Sequence, residues 1–286
     1  MSDSIETVRT VQDLRRIVEG WQASGKTVAL VPTMGALHTG HLSLVELAKT
    51  KADKAVVSVF VNPTQFAPHE DLERYPRDEA GDMKKLATVA TDLVWSPSVE
   101  EMYPGGFSTG VKAGSAASDL EGAFRPQHFD GVATVCCKLF NQVRPSIAIF
   151  GEKDYQQLAV LRQMVKDLNI PVTLVAAPTK REASGLALSS RNAYLSDAER
   201  AAAPALFAAI SDVAERVAGG TAITVATVSA VETLRAAGFT KVDYVEIRDA
   251  ETLAPAAGAN RPLRVLAAAW LGKTRLIDNV AVQTPA

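Results

Sequence analysis

Apolar positions along the chain follow two spacings: short, nearly continuous runs, and longer segments in which they recur every three or four residues. Residues 27–31 and 55–61 are apolar runs, followed by Pro32 and Pro63 respectively. Between these runs a helical pattern begins near Thr39. Strand, helix and strand within about thirty-five residues predict a right-handed βαβ unit, with each strand ending before its proline.

The same alternation continues to about residue 177. Helical spacing predicts further helices at 11–23, 78–90, 131–142 and 155–168. Apolar runs predict further strands at 93–95, 147–150 and 172–176. Strands without polar alternation, separated by helices, favour a parallel sheet covered by helices on both faces. We therefore expect an α/β domain over residues 1–179. The glycine-rich stretch 103–130 favours no particular element.

The pattern changes after about residue 180. An alanine-rich helical segment, 196–219, is followed by a second helical segment, 225–237. Three alternating segments, 242–247, 263–270 and 276–282, are then typical of strands. Helices followed by strands predict a smaller α+β domain over residues 180–286, which we expect to close over the first domain as a lid.

Composition narrows the class of protein. The 286 residues carry a net charge of −2, with a pI near 6.1, so no large basic surface is expected for nucleic acid. Neither a signal peptide nor an apolar run of ~20 residues is recognisable, which argues against a membrane partner. The two cysteines, Cys136 and Cys137, are adjacent and are best explained as thiols in a reducing cytosol. A cytoplasmic enzyme acting on small molecules is the expectation.

Four segments that follow predicted strands contain most of the chemically suggestive residues. These segments are 32–41, 62–65, 151–154 and 178–191. In an open parallel sheet, ligands bind outside the carboxyl ends of the strands. The segments are therefore expected to meet at one edge of the sheet and to form the binding site.

The first segment places His38 and His41 at the start of a helix. Three residues apart, they face one way, beside the positive end of the helix dipole, and Gly35 leaves room for close approach of a ligand. Two imidazoles there can donate to phosphate oxygens and stabilise a leaving pyrophosphate. A simple helix-capping histidine is the alternative, and zinc is disfavoured because no third ligand is spaced nearby. The segment is neither a dinucleotide fingerprint nor a Walker loop.

The histidine motif resembles the nucleotidyltransferase superfamily, and five motifs together resemble the pantoate–β-alanine ligase (pantothenate synthetase) family. They are Val31-Pro-Thr-Met-Gly-Ala-Leu-His-Thr-Gly-His41, Phe60-Val-Asn-Pro-Thr-Gln-Phe66, Tyr75-Pro-Arg77, Phe150-Gly-Glu-Lys-Asp-Tyr-Gln-Gln157 and Leu188-Ser-Ser-Arg-Asn192. The resemblance runs in order over about residues 25–195. It implies a Rossmann-like fold, a homodimer, and ATP-dependent joining of pantoate to β-alanine through a pantoyl-adenylate, with AMP and pyrophosphate released.

The resemblance also implies roles for individual residues. The residues matching the family's catalytic positions are His41, His38, Lys153 and Arg191. The ATP-binding positions are matched by Met34, Gly35, His38, His41, Gly151, Lys153, Asp154, Lys180, Leu188, Ser189, Ser190 and Arg191. The positions for pantoate and β-alanine are matched by Gln65, Gln157, Asn62 and Tyr75. ATP is expected as co-substrate with Mg²⁺, for which Asp82 is a candidate ligand.

The chain departs from the family pattern at four places. Gly81 and Lys85 stand where further polar metal ligands are expected, which puts a protein-held Mg²⁺ in doubt. Ser184 replaces the usual aspartate, and Leu188 replaces the usual methionine at nearly constant volume. Two alternatives remain: another nucleotidyltransferase with this histidine motif, and a nucleotide-binding protein without catalysis.

Overall fold

The computed structural model describes residues 5–68, 70–256 and 261–283. Among these residues, six parallel strands form one sheet in the order β1-β4-β3-β2-β5-β6. The strands are β1 (Thr7–Val8), β2 (Val28–Thr33), β3 (Lys54–Val59), β4 (Leu93–Trp95), β5 (Ile147–Gly151) and β6 (Thr173–Ala177). The predicted parallel sheet is confirmed, and β1 is an edge strand too short for its pattern to show.

Helices flank this sheet. They are α1 (Val11–Ala23), α2 (Thr39–Lys51), α3 (Glu79–Thr88), α4 (Val99–Met102), α5 (Glu121–Phe124), α6 (His128–Val143) and α7 (Tyr155–Asp167). Short 3₁₀ turns cover Pro63–Gln65, Ser115–Ala117 and Glu152–Asp154. Val31, Val57 and Ile149 are fully buried in the core between sheet and helices, as expected for strands covered on both faces.

β2 extends beyond its predicted end and includes Pro32 and Thr33. Pro32 is paired with Ser58 of β3, while the pairing of β2 with β5 is limited to Ala29 and Leu30. The backbone of Val28 makes its hydrogen bond on the side of β2 that faces β5. Pro32, four residues later, presents its backbone to the same side, beyond the last pair of the β2–β5 ladder, so its lack of an N–H falls where no strand is paired. A proline is tolerated there because no ladder hydrogen bond is lost.

The chain divides by its contacts into two compact units, Met1–Glu152 with Val160–Pro178, and Lys153–Ala159 with Thr179–Ala286. Within the described part of the second unit, three antiparallel strands form a sheet in sequence order, β7 (Lys241–Asp249), β8 (Leu263–Leu271) and β9 (Thr274–Val282). The helices of this unit are α8 (Asp197–Ala202), α9 (Ala205–Ala218) and α10 (Ile223–Ala236), and a 3₁₀ turn covers Ser190–Tyr194.

The alanine-rich segment 196–219 is two helices, so its prediction as one helix was wrong. Pro204 lies between α8 and α9 and acts as the N-cap of α9; without an N–H it cannot continue the preceding helix. Ile210 of α9, Leu234 of α10 and Val265 of β8 are fully buried in a core of their own. Across the described residues, no helix has both the length and the apolarity that crossing a bilayer requires.

Candidate active site

The two histidines predicted to bind phosphate lie at the start of α2 and hold each other in place. The backbone N–H of Gly40 donates to Nδ1 of His38 over 3.2 Å, and the N–H of His38 donates to Nδ1 of His41 over 3.3 Å. The ring centroids are 4.0 Å apart. Because both Nδ1 atoms accept, a neutral ring of either residue carries its proton on Nε2. The capping role and the predicted donor role are therefore compatible.

The turn before His38 is tightly folded. Gly35 and Ala36 both have positive φ, +80° and +49°. Glycine adopts such a conformation at little cost, whereas alanine needs the surrounding structure to hold it. Asp82 of α3 reaches this turn: its carboxylate is 1% exposed and accepts the N–H of Leu37 over 2.8 Å. The candidate metal ligand is thus packed against the phosphate-binding segment.

Gln65, predicted to hold pantoate, is buried at the end of the Pro63–Gln65 turn that follows β3. Its amide oxygen accepts from Nδ2 of Asn62 over 3.0 Å, and its amide nitrogen lies 3.1 Å from Sδ of Met34. Nδ2 of Asn62 also donates to the carbonyl of Gly131, and its Oδ1 accepts from the Tyr103 hydroxyl over 2.8 Å. Three predicted site residues, Met34, Asn62 and Gln65, are therefore in direct contact.

Arg125 and His128 also act on Gln65, and sequence reasoning missed both. His128 Nδ1 lies 2.9 Å from the Gln65 carbonyl and must donate to it, while Nε2 accepts from Arg125 over 3.1 Å. Arg125 makes two further bonds to Glu70, over 2.7 and 2.8 Å. The only sequence feature that could have pointed to them is a histidine three residues after an arginine, at the end of a stretch without a regular pattern.

The charges of this group are settled by its surroundings. Burial, and then the Arg125 guanidinium, lower the pKa of His128 to about 4, so the ring is neutral near pH 7 and its tautomer is fixed by the Gln65 carbonyl. Burial opposes ionisation of Glu70, but the hydrogen bonds and charge of Arg125 outweigh it and hold the pKa of that carboxyl below its ordinary value. Arg125 and Glu70 therefore form an ion pair, and Arg125 also donates a hydrogen bond to the neutral imidazole of His128.

Tyr75 and Gly151 complete the predicted residues of the first unit. The Tyr75 ring is 5% exposed and meets Phe66 edge to face with centroids 5.9 Å apart, so its ring is packed beside the Gln65 turn. Gly151 is the last residue of β5 and lies at the carboxyl edge of the sheet, where β2 and β3 also end. Within the first unit, the segments that follow β2, β3 and β5 thus begin at the same edge of the sheet, while the meeting of all four segments stays a prediction.

In the second unit, Lys153 lies in the turn before α7 and its side chain is 20% exposed. Its carbonyl accepts from Nδ2 of Asn279 over 2.8 Å, and Oδ1 of Asn279 accepts from Nε of Arg264 over 2.6 Å. The Arg264 guanidinium stacks 3.8 Å over the ring of Tyr155. β8 and β9 therefore fix the backbone of the predicted catalytic lysine. Asp154 is exposed beside it, and Gln157 is half-buried in α7.

The last motif is built on a small hairpin. Arg181 bridges Ala187, and the N–H of Leu188 donates to the carbonyl of Lys180 over 2.9 Å, which makes these two predicted ATP residues neighbours. Ser189 then caps the turn Ser190–Tyr194 by accepting from the N–H of Arg191 over 3.3 Å. Ser184 is exposed at the hairpin tip, where its hydroxyl lies 3.5 Å from the N–H of Leu186.

A parallel sheet whose central strand leads into a helix with two histidines at its N-terminus is the architecture of a nucleotide-binding α/β enzyme. The family model described as pantoate-beta-alanine ligase matches residues 6–281. The chain therefore belongs to the pantoate–β-alanine ligase family, as its motifs predicted.

Individual relatives agree over nearly the whole length. The pantothenate synthetases of Caulobacter vibrioides and Mesorhizobium japonicum are 58% and 56% identical, covering 96% and 97% of this chain and 98% of each relative. The crystal structure of pantothenate synthetase from Thermus thermophilus is 47% identical, with a TM-score of 0.92 over 98% of this chain and 100% of that one. The ligase of Francisella tularensis, complexed with beta-gamma ATP and beta-alanine, is 32% identical, with a TM-score of 0.82 over 98% and 99%.

Proposed function

We propose that the chain condenses pantoate with β-alanine at the expense of ATP, through a pantoyl-adenylate, releasing AMP and pyrophosphate. The observation that carries the proposal is the presence of all five motifs, in order, in a chain whose phosphate-binding segment presents hydrogen-bond donors. The cap of α2 fixes both imidazoles, and a neutral ring of either histidine carries its proton on Nε2. Adenylation is needed because a carboxylate would otherwise have to expel oxide when an amine attacks it.

In the first step the pantoate carboxylate attacks the α-phosphorus of ATP. His38 and His41 donate from Nε2 to the phosphate oxygens, and His41 supplies a proton as negative charge moves onto pyrophosphate. The ammonium of Lys153 stabilises the same negative charge as it moves onto pyrophosphate. Arg191, with Ser189 and Ser190, holds the departing phosphates, for which a planar guanidinium is well suited.

Gln65 and Gln157 bind pantoate in this proposal, and Asn62 and Tyr75 take part in binding the two acids. A neutral amide donates to the carboxylate and accepts from the hydroxyl groups without neutralising the nucleophile. The buried contacts of Gln65 with Asn62 and Met34 support this role, because a fixed amide aligns the carboxylate for attack. In the second step the β-alanine amine attacks the acyl carbon, the C–O bond to the phosphate breaks, and AMP leaves with that oxygen.

In this proposal magnesium would enter as the MgATP complex, since this hard cation prefers phosphate oxygens and water as ligands. The further residues that we assign to ATP binding are Met34, Gly35, Gly151, Asp154, Lys180 and Leu188. Within the described part of the chain, no group of three or more His, Cys, Asp or Glu side chains is placed to hold a metal. The donor set around Asp82 does not fit a metal held by the protein.

The rival function is transfer of a nucleotide onto a different acceptor. The experiment is AMP release from MgATP with D-pantoate, with β-alanine, with both and with neither, with the organic product identified by mass spectrometry. Sustained AMP release only with both acids, accompanied by pantothenate, is the expected result. Turnover that leaves the nucleotide attached to the product, or no turnover with both acids present, would contradict the proposal.

We propose further that the protein is a cytoplasmic homodimer, as the family resemblance implies. Cys136 is a buried free thiol, and burial first and Cys137 second raise its pKa to about 12, so the thiol stays protonated. Light scattering coupled to size-exclusion chromatography measures the oligomer. A mass of about twice the 30.4 kDa chain is expected, and a monomer at all concentrations would overturn the dimer.

A further inference from the structure

Leu37, the residue directly before the His38 cap, has both of its backbone polar groups bound by side chains of α3. Its N–H donates to Oδ1 of Asp82 over 2.8 Å, and its carbonyl accepts from Nζ of Lys85 over 2.8 Å. The two α3 side chains also face each other, with Nζ and Oδ1 3.8 Å apart. One residue of the phosphate-binding segment is thus gripped at two points by a helix that starts more than forty residues later in the chain.

The gripped residue follows a strained turn. Gly35 and Ala36 both have positive φ, a backbone conformation that is energetically unfavourable for Ala36 because it has a side chain. A Cβ at Gly35 would lie 3.1 Å from Oδ2 of Asp82, so the carboxylate also packs closely on the turn. A conformation of this kind persists only where neighbouring groups impose it, and the contacts from α3 do so.

We infer that Asp82 and Lys85 are positioning residues: they clamp Leu37 and thereby set the place of the His38–His41 pair. This inference rests on the proposed function, because it gives the clamp a catalytic consequence. His38 begins immediately after Leu37, and the carbonyl of His38 starts α2 by accepting from His41 and Leu42. Displacement of Leu37 therefore moves the first turn of α2 and both imidazoles with it.

The same contacts explain why Asp82 is not arranged as a metal ligand. Its side chain is 1% exposed, and its Oδ1 already serves the Leu37 N–H and faces an ammonium, which would repel Mg²⁺. Gly81 has no side chain to offer as a ligand. A Cβ there would fall 2.0 Å from Oδ2 of Asp78, whose Oδ1 caps α3 by accepting the Gly81 N–H. The two departures from the family pattern thus belong to one local arrangement, a clamp in place of a cation site.

The test compares four variants of the full-length protein in the AMP-release assay, with titrations of ATP and of Mg²⁺ at fixed ATP. Asp82→Ala removes one contact of the clamp, and Lys85→Met removes the other while keeping an unbranched side chain that is one atom shorter. Asp82→Asn keeps an oxygen that can accept the Leu37 N–H. Lys84→Met removes a neighbouring exposed charge from the same helix and serves as the control.

A clamp predicts that Lys85→Met and Asp82→Ala each lower kcat about tenfold or more, because small misplacement of catalytic groups is costly. Asp82→Asn is expected to recover most of that loss, Lys84→Met to have no effect, and half-saturating Mg²⁺ to stay unchanged throughout. In histidine ¹⁵N–¹H spectra without substrates, the Nε2 signals of His38 and His41 shift in Lys85→Met but not in Lys84→Met.

Two results would overturn the inference. One is a tenfold or greater rise in half-saturating Mg²⁺ for Asp82→Asn, the behaviour of a metal ligand. The other is Lys85→Met matching Lys84→Met either in kcat or in its histidine signals. The spectra do not depend on turnover, and wild type is assayed alongside. Failure of wild type to form pantothenate therefore contradicts the proposed function, while unshifted histidine signals contradict the clamp.

Discussion

At the scale of single residues, the site depends on which nitrogen of each histidine carries a proton. Backbone N–H groups occupy Nδ1 of His38 and of His41, while a backbone carbonyl requires the opposite tautomer of His128. Histidine therefore has two uses in this protein. His38 and His41 present N–H donors to a ligand at the start of α2, and His128 is a neutral support for Gln65. In each case the backbone geometry decides the chemistry.

Replacement of His41 separates its structural role from its catalytic role. His41→Ala loses both the Nδ1 acceptor and the Nε2 donor, so we expect kcat to fall by about 10²-fold or more and the protein to lose about 1 kcal/mol of stability. His41→Asn keeps an acceptor for the His38 N–H and should regain stability but not turnover. Steady-state kinetics and thermal melts of both variants check this. Full activity in His41→Asn would rule out proton donation by the His41 imidazole.

His128 predicts a pH-dependent stability. Its pKa is lowered to about 4 in the folded state, from an ordinary value of 6.5. Below pH 6.5 the unfolded chain therefore binds a proton that the folded chain does not, so stability present at higher pH is lost as pH falls from about 6.5 toward 4. Between pH 7.5 and 5 the loss attributable to His128 is roughly 2 kcal/mol.

Urea unfolding of wild type and His128→Gln at both pH values measures this contribution. The glutamine can still donate to the Gln65 carbonyl but does not titrate, so it should lose less stability than wild type between pH 7.5 and 5. Glu70, whose pKa is also lowered, affects stability at lower pH. An equal loss in the two proteins would show that His128 is not neutral as described.

At the scale of elements, α6 packs directly against the turn that carries Gln65. A Cβ at Gly131 would lie 2.4 Å from the carbonyl oxygen of Thr64 and 2.8 Å from the backbone nitrogen of Gln65. These are backbone atoms, so the turn itself has to move to accept any side chain. The approach of helix to turn thus requires glycine at this one position of α6.

Gly131→Ala is expected to raise KM for pantoate about tenfold and to cost about 1–3 kcal/mol of stability, because the displaced turn carries Gln65. The matched control is Gly20→Ala in α1, where a Cβ meets nothing within 4 Å. That variant should gain roughly 0.5–1 kcal/mol from helix propensity and leave KM unchanged. Equal behaviour of the two variants in binding and melting experiments would mean that the Gln65 turn tolerates displacement.

A second link between elements joins β9 to Lys153. Asn279→Ala removes the donor to the Lys153 carbonyl and leaves the buried Arg264 without that acceptor. We expect kcat to fall about tenfold and stability to fall by about 1–3 kcal/mol. Val280→Ala removes apolar packing from the same strand and is expected to cost stability without lowering kcat. If both variants lose kcat equally, the loss reflects the strand and not the position of Lys153.

The sequence predicted the parts of the fold that repeat a simple pattern. Apolar runs and helical spacing located β2, β3, β5 and β6 with their helices, because strands covered on both faces need unbroken apolar residues. Segment 103–130 could not be assigned, since α5 and the Ser115–Ala117 turn are too short for periodicity and residues such as Leu120 adopt positive φ.

The motifs supplied the candidate site residues, and their roles stay predictions. The contacts of Met34, Asn62 and Gln65 agree with their expected proximity, whereas Arg125, His128 and Asn279 were missed. Each of these three acts through a hydrogen bond to a backbone carbonyl or to a residue distant in sequence, 63 positions apart for His128 and Gln65 and 126 for Asn279 and Lys153. No local spacing encodes such a pair, and only the folded chain brings it together.

At the scale of the whole molecule, the proposed reaction draws on residues from both compact units of the chain. The residues proposed for it are His38, His41 and Gln65 in the first unit and Lys153 and Arg191 in the second. One chemical step, adenylation of a carboxylate, is expected to use all of them. The path of a single oxygen atom reports that step directly.

The most direct measurement is therefore a reaction with pantoate labelled with ¹⁸O in its carboxylate, together with β-alanine and MgATP, followed by mass spectrometry of the nucleotide and phosphate products. We expect one ¹⁸O in AMP, because the bridging oxygen of pantoyl-adenylate leaves with the phosphate, and unlabelled pyrophosphate. Label in inorganic phosphate with release of ADP, or AMP without label, would contradict an acyl-adenylate and with it the proposed function.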